Sequence, residues 1–206
     1  MKLKLWEKAI LLSLVLTVLV SMVGFQHQCE DISQRVLRLH VLANSDSEED
    51  QALKLKVRDR ILEEGKALFS STADLQQAEQ IAAQNLDRIQ AAAQDEVYRQ
   101  GYDYPVNVEL ADMYFTTREY DTVTLPAGTY NALRVTIGSG AGKNWWCVLF
   151  PSLCFVDTVH GVVPEESKEL LKNVLTEEEY ESLFTPGKSE YKVRWKAAEI
   201  WQSLFG

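Results

Sequence analysis

The chain has 206 residues, of which 46% are apolar and five are tryptophan, and a formal net charge of −9. That length suits one domain with an appendage, and the apolar content excludes wholesale disorder. The acidic balance, with no polybasic stretch, argues against binding nucleic acid or an anionic surface by bulk charge.

The amino terminus reads as a targeting segment. Lys2, Lys4 and Lys8 form a basic lead, and residues 9–25 follow without a single charge. A positive lead before an apolar run marks a signal peptide or signal anchor over residues 1–25. The run sits near the lower limit for crossing a bilayer core of about 30 Å. Met22-Val-Gly24 is a poor cleavage site, so whether the leader is removed stays open. The positive-inside rule keeps the basic start in the cytoplasm and exports the chain beyond about residue 26. Residues 26–34 then read as a polar connector, and 35–206 as a single exported domain.

Residues 35–42 alternate Val36, Arg38, His40 and Leu42 with Leu37, Leu39 and Val41. That pattern predicts a half-buried strand with one fully apolar face. A helix follows, with Asn44, Ser45 or Ser47 as its cap and Ser45 with Glu48 at capping-box spacing. Leu53, Val57, Ile61 and Leu68, with Leu55 and Leu62 beside them, form its apolar stripe; Lys54, Lys56, Arg58 and Arg60 face out. A second helix runs from about residue 71 to Gln100, stopped by Gly101. After Pro105 the period changes to 2, predicting strands near 106–110, 113–120, 129–137 and 145–150. Pro126 and Gly128 suggest a type II turn before the third of these. Helices return at 165–174, 176–184 and 191–205. The order predicts an α+β fold: one amino-terminal strand, two long helices, an antiparallel run of about four strands, and carboxyl-terminal helices.

Several motifs suggest chemistry and fall short of it. Gly138-Ser-Gly-Ala-Gly-Lys143 resembles a phosphate loop, but its spacing is one residue short. Asn144 also stands where a hydroxyl is needed, and a strand follows instead of a helix. A flexible hairpin loop is the expectation there. Asp46-Ser-Glu-Glu-Asp50 begins like a calcium loop but lacks the central glycine and the closing glutamate. His40 with Asp46 and a serine lacks any nucleophile elbow. No catalytic residue, metal site, cofactor or small-molecule substrate is expected.

Cys147 and Cys154 are placed either to bridge across Pro151 or to lie as buried thiols, and Cys29 is left over. In Asn144-Trp-Trp-Cys147 the two indoles point to opposite faces of a strand. Both are buried only if the strand is covered on each side; otherwise one is an exposed contact.

Two stretches carry a resemblance. The first runs Leu39-His-Val-Leu-Ala-Asn-Ser-Asp-Ser-Glu-Glu-Asp-Gln-Ala-Leu-Lys-Leu-Lys-Val-Arg-Asp59. The second runs Leu125-Pro-Ala-Gly-Thr-Tyr-Asn-Ala-Leu-Arg-Val-Thr-Ile-Gly138 and continues through Gly142-Lys-Asn-Trp-Trp-Cys-Val-Leu-Phe-Pro151. Together they resemble the stage II sporulation protein R family. The resemblance implies a non-enzymatic signal made in the forespore and exported into the space between the two sporulation membranes. There it would activate a membrane-embedded aspartic protease of the mother cell, which cleaves the sigma-E precursor. The contact residues expected for that partner are Gly140, Gly142, Lys143, Asn144, Trp145 and Trp146. The alternatives are an exported envelope hydrolase and a passive envelope-binding module.

Overall fold

A computed structural model describes residues 4–69, 72, 74–120, 123–151 and 165–184. Helix α1 spans Leu5–Ser33 and is followed by strand β1 (Leu37–Leu42). Three helices come next: α2 (Glu48–Phe69), α3 (Leu75–Gln84) and α4 (Leu86–Arg99). The strands β2 (Val106–Phe115), β3 (Arg118–Tyr120), β4 (Val123–Leu125), β5 (Gly128–Ile137) and β6 (Asn144–Phe150) precede α5 (Glu165–Val174) and α6 (Glu177–Phe184).

Local chemistry sets most boundaries. Ser47, one of the three expected caps, caps α2, its Oγ accepting from the Asp50 N–H at 3.1 Å. Ser45 Oγ accepts from the Ser47 N–H and donates to Asp50 in place of the expected box with Glu48. Asp74 caps α3 through the Gln77 N–H. A reciprocal pair between Thr176 and Glu179 opens α6. At the end of α4, Gly101 has a positive φ of 83°. Its N–H reaches Tyr98 O while Tyr102 N–H reaches Val97 O, the two bonds of a Schellman stop. The expected second helix is broken at Asn85, whose side-chain amide donates back to Ile81 O and ends the first segment. Gly128 opens β5 without a positive φ.

The four-stranded sheet has the order β2-β5-β1-β6, and β3 pairs with β4 in a separate two-stranded sheet. The antiparallel run is therefore interrupted: β1 lies parallel to β5 and antiparallel to β6. This insertion pairs β1 along both edges, and both of its faces are covered as well. One face, with Leu37, Leu39, Val41, Leu133, Val135 and Leu149, packs under α2–α4. The other meets Ile32, Val36, Phe115, Tyr130, Val148, Leu171 and Leu183 from the end of α1, the strands and α5–α6. Arg38 and His40, expected on a half-exposed face, are 0% and 3% exposed.

The expected connector at 26–34 is instead mostly the last turns of α1, with Cys29 buried and Ile32 in the second core. Further up α1, Ile10, Leu11, Leu12, Leu14 and Leu16 are exposed. Of residues 15, 18–26 and 28 only the backbone is described. Among the described residues no helix is long and apolar enough to cross a membrane. The expected closing helix at 191–205 lies outside the described residues.

Candidate functional site

Two loops at one end of the sheet interlock. The first, residues 43–47, carries the chain from β1 into α2; the second, 138–143, joins β5 to β6. They meet because β1 lies between β5 and β6, so the carboxyl end of β1 emerges beside the β5–β6 turn.

Asn44 is the hinge of the contact. Its Oδ1 accepts from Ser139 N–H at 2.9 Å and its Nδ2 donates to Asp50 Oδ2 at 2.9 Å. The Asn44 carbonyl accepts from the Ser139 hydroxyl and the Ala141 N–H. Ala43 O takes the Gly142 N–H at 2.9 Å, and Asp46 Oδ1 takes the Lys143 N–H at 2.6 Å. Gly138 N–H goes to Pro105 O and Gly140 N–H to Ile137 O. All six backbone donors from Gly138 to Lys143 are thus committed within the protein. None remains to cradle a phosphate, which is the physical reason the glycine-rich run is not a phosphate loop.

The loop is also packed tightly, which corrects the expectation of a flexible hairpin. A Cβ on Gly142 would lie 2.1 Å from Ser45 O and 2.5 Å from Ser45 C. At Gly138, φ is +58° and a Cβ would meet the Asn44 side chain at 2.3 Å. Only a residue without a Cβ fits at either position.

Charged groups sit inside this junction. Burial alone pushes the Asp50 carboxyl up, but hydrogen bonds from Ser45, Asn44 and Tyr104 outweigh it and hold the group below its usual range. Lys54, expected to face solvent, is 5% exposed. Its Nζ donates to Gln51 Oε1 at 2.6 Å and to Lys143 O at 2.9 Å, so it ties α2 to the glycine loop. Desolvation, with Arg58 nearby, lowers its pKa.

Beyond the loop, β6 presents Asn144 exposed and Trp145 and Trp146 half-buried. The two indoles play different parts. Trp146 lies flat on His40 at 3.9 Å between ring centroids and 2° between planes, with Phe115 edge-on at 4.8 Å. It therefore seals the second core. Trp145 rests on the first core, with the Arg58 guanidinium 4.9 Å over its ring. The expected contact residues Gly140, Gly142, Lys143, Asn144 and Trp145 are thus brought together at one end of the sheet. Trp146 joins them in sequence but serves packing.

His40 is enclosed, and burial lowers its pKa to about 4, with Arg134 and Arg38 adding to the effect against the Asn144 side chain. It does not meet Asp46, which is engaged with Lys143. Arg38 is enclosed more completely. Its guanidinium lies 4.1 Å from the Phe115 ring centroid and 4.9 Å from that of Tyr130, and it donates to the Tyr120 hydroxyl. Its Nε and Nη1 have no partner among the described residues. Cys147 is buried on β6, and its expected partner Cys154 lies outside the described residues. Cys29 is a buried free thiol.

Asn44, Asp46, Lys54 and Arg58 were not expected at this site. The run of Asn, Ser and Asp before α2 marked a cap, but nothing local marked it as the seat of a loop some 95 residues away.

Both loops lie inside residues 33–160, which match the family described as stage II sporulation protein R. The stage II sporulation protein R of Bacillus subtilis (strain 168) is 37% identical over 143 residues, covering 68% of this chain and 64% of that protein. The chain thus spans a little under two thirds of the length of that relative. No solved structure matches. On the extent of the family match and the identity to this relative, the chain belongs to the stage II sporulation protein R family.

Proposed function

We propose that this protein is an exported, non-enzymatic sporulation signal that activates a membrane-embedded aspartic protease of the mother cell, leading to cleavage of the sigma-E precursor. In this reading the protein acts between the two sporulation membranes. The apolar run of residues 9–25 takes it into or across the forespore membrane. The row of exposed apolar side chains from Ile10 to Leu16 supports a lipid-facing role, since such a row is costly in water.

The interlocked junction carries the reading. Both signature stretches of the family converge on it, and their polar groups are spent on each other. Such a rigid surface, with Trp145 under Arg58 and exposed Lys143 and Asn144 beside it, has the composition of a protein contact. An activator of this kind binds the active state of its target more tightly than the inactive one, because equal binding shifts nothing. A Cys147–Cys154 bridge, in keeping with an exported domain, would pin the far end of β6.

The test is reconstitution of the full chain opposite membranes that hold the protease and the sigma-E precursor. Dose-dependent cleavage that is lost with Trp145→Ala in a folded chain, and kept with His40→Phe, supports both the function and the surface. Folded wild-type chain that gives no cleavage would sink the activation reading.

A further inference from the structure

Among the described residues, one edge of the sheet is sealed only half-way along. Strand β2 is an edge strand of ten residues, paired along its whole length to β5. On its outer side, alternate N–H groups point away from β5. The first two are taken by helix α4: Val106 N–H donates to Gln94 Oε1 at 2.9 Å and Val108 N–H to Gln90 Oε1 at 3.2 Å. These glutamines stand in for a missing strand, a common way of closing an edge. The period-2 geometry turns the N–H groups of Leu110 and Asp112 to the same side, and the register with β5 has no bulge to alter it. Among the described residues nothing accepts from them. Helix α4 begins at Leu86, one turn before Gln90, so the seal ends with the helix.

A groove of about 720 Å³ opens beside this stretch, lined by Asp74, Glu79, Asp112, Asn131 and Arg35 among others. Its charge is one-sided in effect. Arg35 faces Glu179 at 3.7 Å and donates to Val174 O, so its charge is already answered. Among the described residues Glu79 receives only a neutral amide, that of Asn131, and the Asp112 side chain is exposed.

We propose that β2 around Leu110 and Asp112 receives an extended strand of a protein partner, and that this strand carries a basic residue opposite Asp112. Main-chain bonds to the free edge would supply the docking, and the carboxylates of Asp74, Glu79 and Asp112 the selectivity. In an added strand the residue across from Asp112 lies on the same face of the sheet, where the groove opens. A second copy of this chain is disfavoured as occupant. Pairing β2 with β2 sets the two acidic rims against each other, on chains that each carry −9. This surface is distinct from the Trp145 junction and does not depend on the activation reading.

The test uses the full chain in detergent and two fluorescein-labelled peptides, one alternating lysine with valine and one alternating glutamate with valine. Anisotropy is expected to show saturable binding of the basic peptide only. Asp112→Pro removes the outward donor while leaving the β5 side of the strand intact, because proline is tolerated where its nitrogen faces solvent. It should weaken binding at least tenfold, and Asp112→Asn a few-fold. Hydrogen exchange should slow over residues 109–115 when the basic peptide is added. Absence of binding to folded wild-type chain would overturn the proposal, as would equal binding of both peptides or indifference to Asp112→Pro. Sedimentation showing self-association that Asp112→Pro abolishes would overturn it in favour of a second copy.

Discussion

Replacing Gly142 with alanine should break the junction, and the size of the effect can be worked out. The new Cβ would stand 2.1 Å from Ser45 O, where ordinary contact begins near 3.4 Å, so one loop must retreat by more than an ångström. The obstacle is backbone, which no rotamer change can move aside. Retreat stretches the bonds from Ala141 to Asn44 O, from Gly142 to Ala43 O, from Lys143 to Asp46 and from Lys54 to Lys143 O. At about 1 kcal/mol for each of the two neutral bonds, and about 1.5–3 for each of the two charged ones, the loss is about 5–8 kcal/mol if all four go. Gly101→Ala provides the control. That residue has a φ of +83° but nothing within 4 Å of its Cβ site, so only the left-handed backbone penalty of about 1 kcal/mol applies. Urea unfolding of both variants beside the wild type measures the difference directly. A Gly142→Ala midpoint no lower than that of Gly101→Ala would refute the claim that the two loops are locked.

Three further outcomes are expected. His40 is held neutral, so its contribution is complete above the unfolded pKa of 6.5 and is lost as pH falls from there towards about 4. Discounted for solvent screening, the loss is about 1–2 kcal/mol, and His40→Phe should flatten the decline between pH 7 and 4.5; parallel curves would contradict this. Arg38→Met keeps the stem volume and trades aromatic contacts of about 1–2 kcal/mol each for relief of a desolvation cost of several. It should therefore stay within about 1 kcal/mol of wild type, whereas Arg38→Ala leaves a cavity and should cost about 3; equal losses in a denaturant titration would be against the reasoning. Burial and neighbouring Glu30 push the Cys29 thiol up to about 12, so the native protein should resist a thiol reagent. Under non-reducing denaturation one thiol per chain is expected if Cys147 and Cys154 are paired, and three if they are not.

Some features that rest on neighbours a few residues apart were legible along the chain, though the break at Asn85 was not. The Gly101 stop and the change of period after Pro105 obey rules local to one turn or one strand. The family signatures likewise drew attention to residues 138–146 before any geometry was known. Errors came where a residue's surroundings are supplied from far away. Arg38 and His40 alternate with leucines as a solvent face would, yet Phe115, Tyr120, Tyr130 and Trp146 close over them. Lys54 sits among outward-facing cations by spacing and is buried by a carbonyl 89 residues on.

Element types, caps and the glycine-rich stretch are thus properties of the sequence by itself, because hydrogen-bond geometry within a turn fixes which side chains can end a helix. The placement of β1 between β5 and β6 was decided only by the tertiary structure. Burying both faces of β1 favours a central position, and no local signal names its neighbours. From that placement come the buried Arg38, the meeting of Asn44 with Ser139, and the edge position of β2.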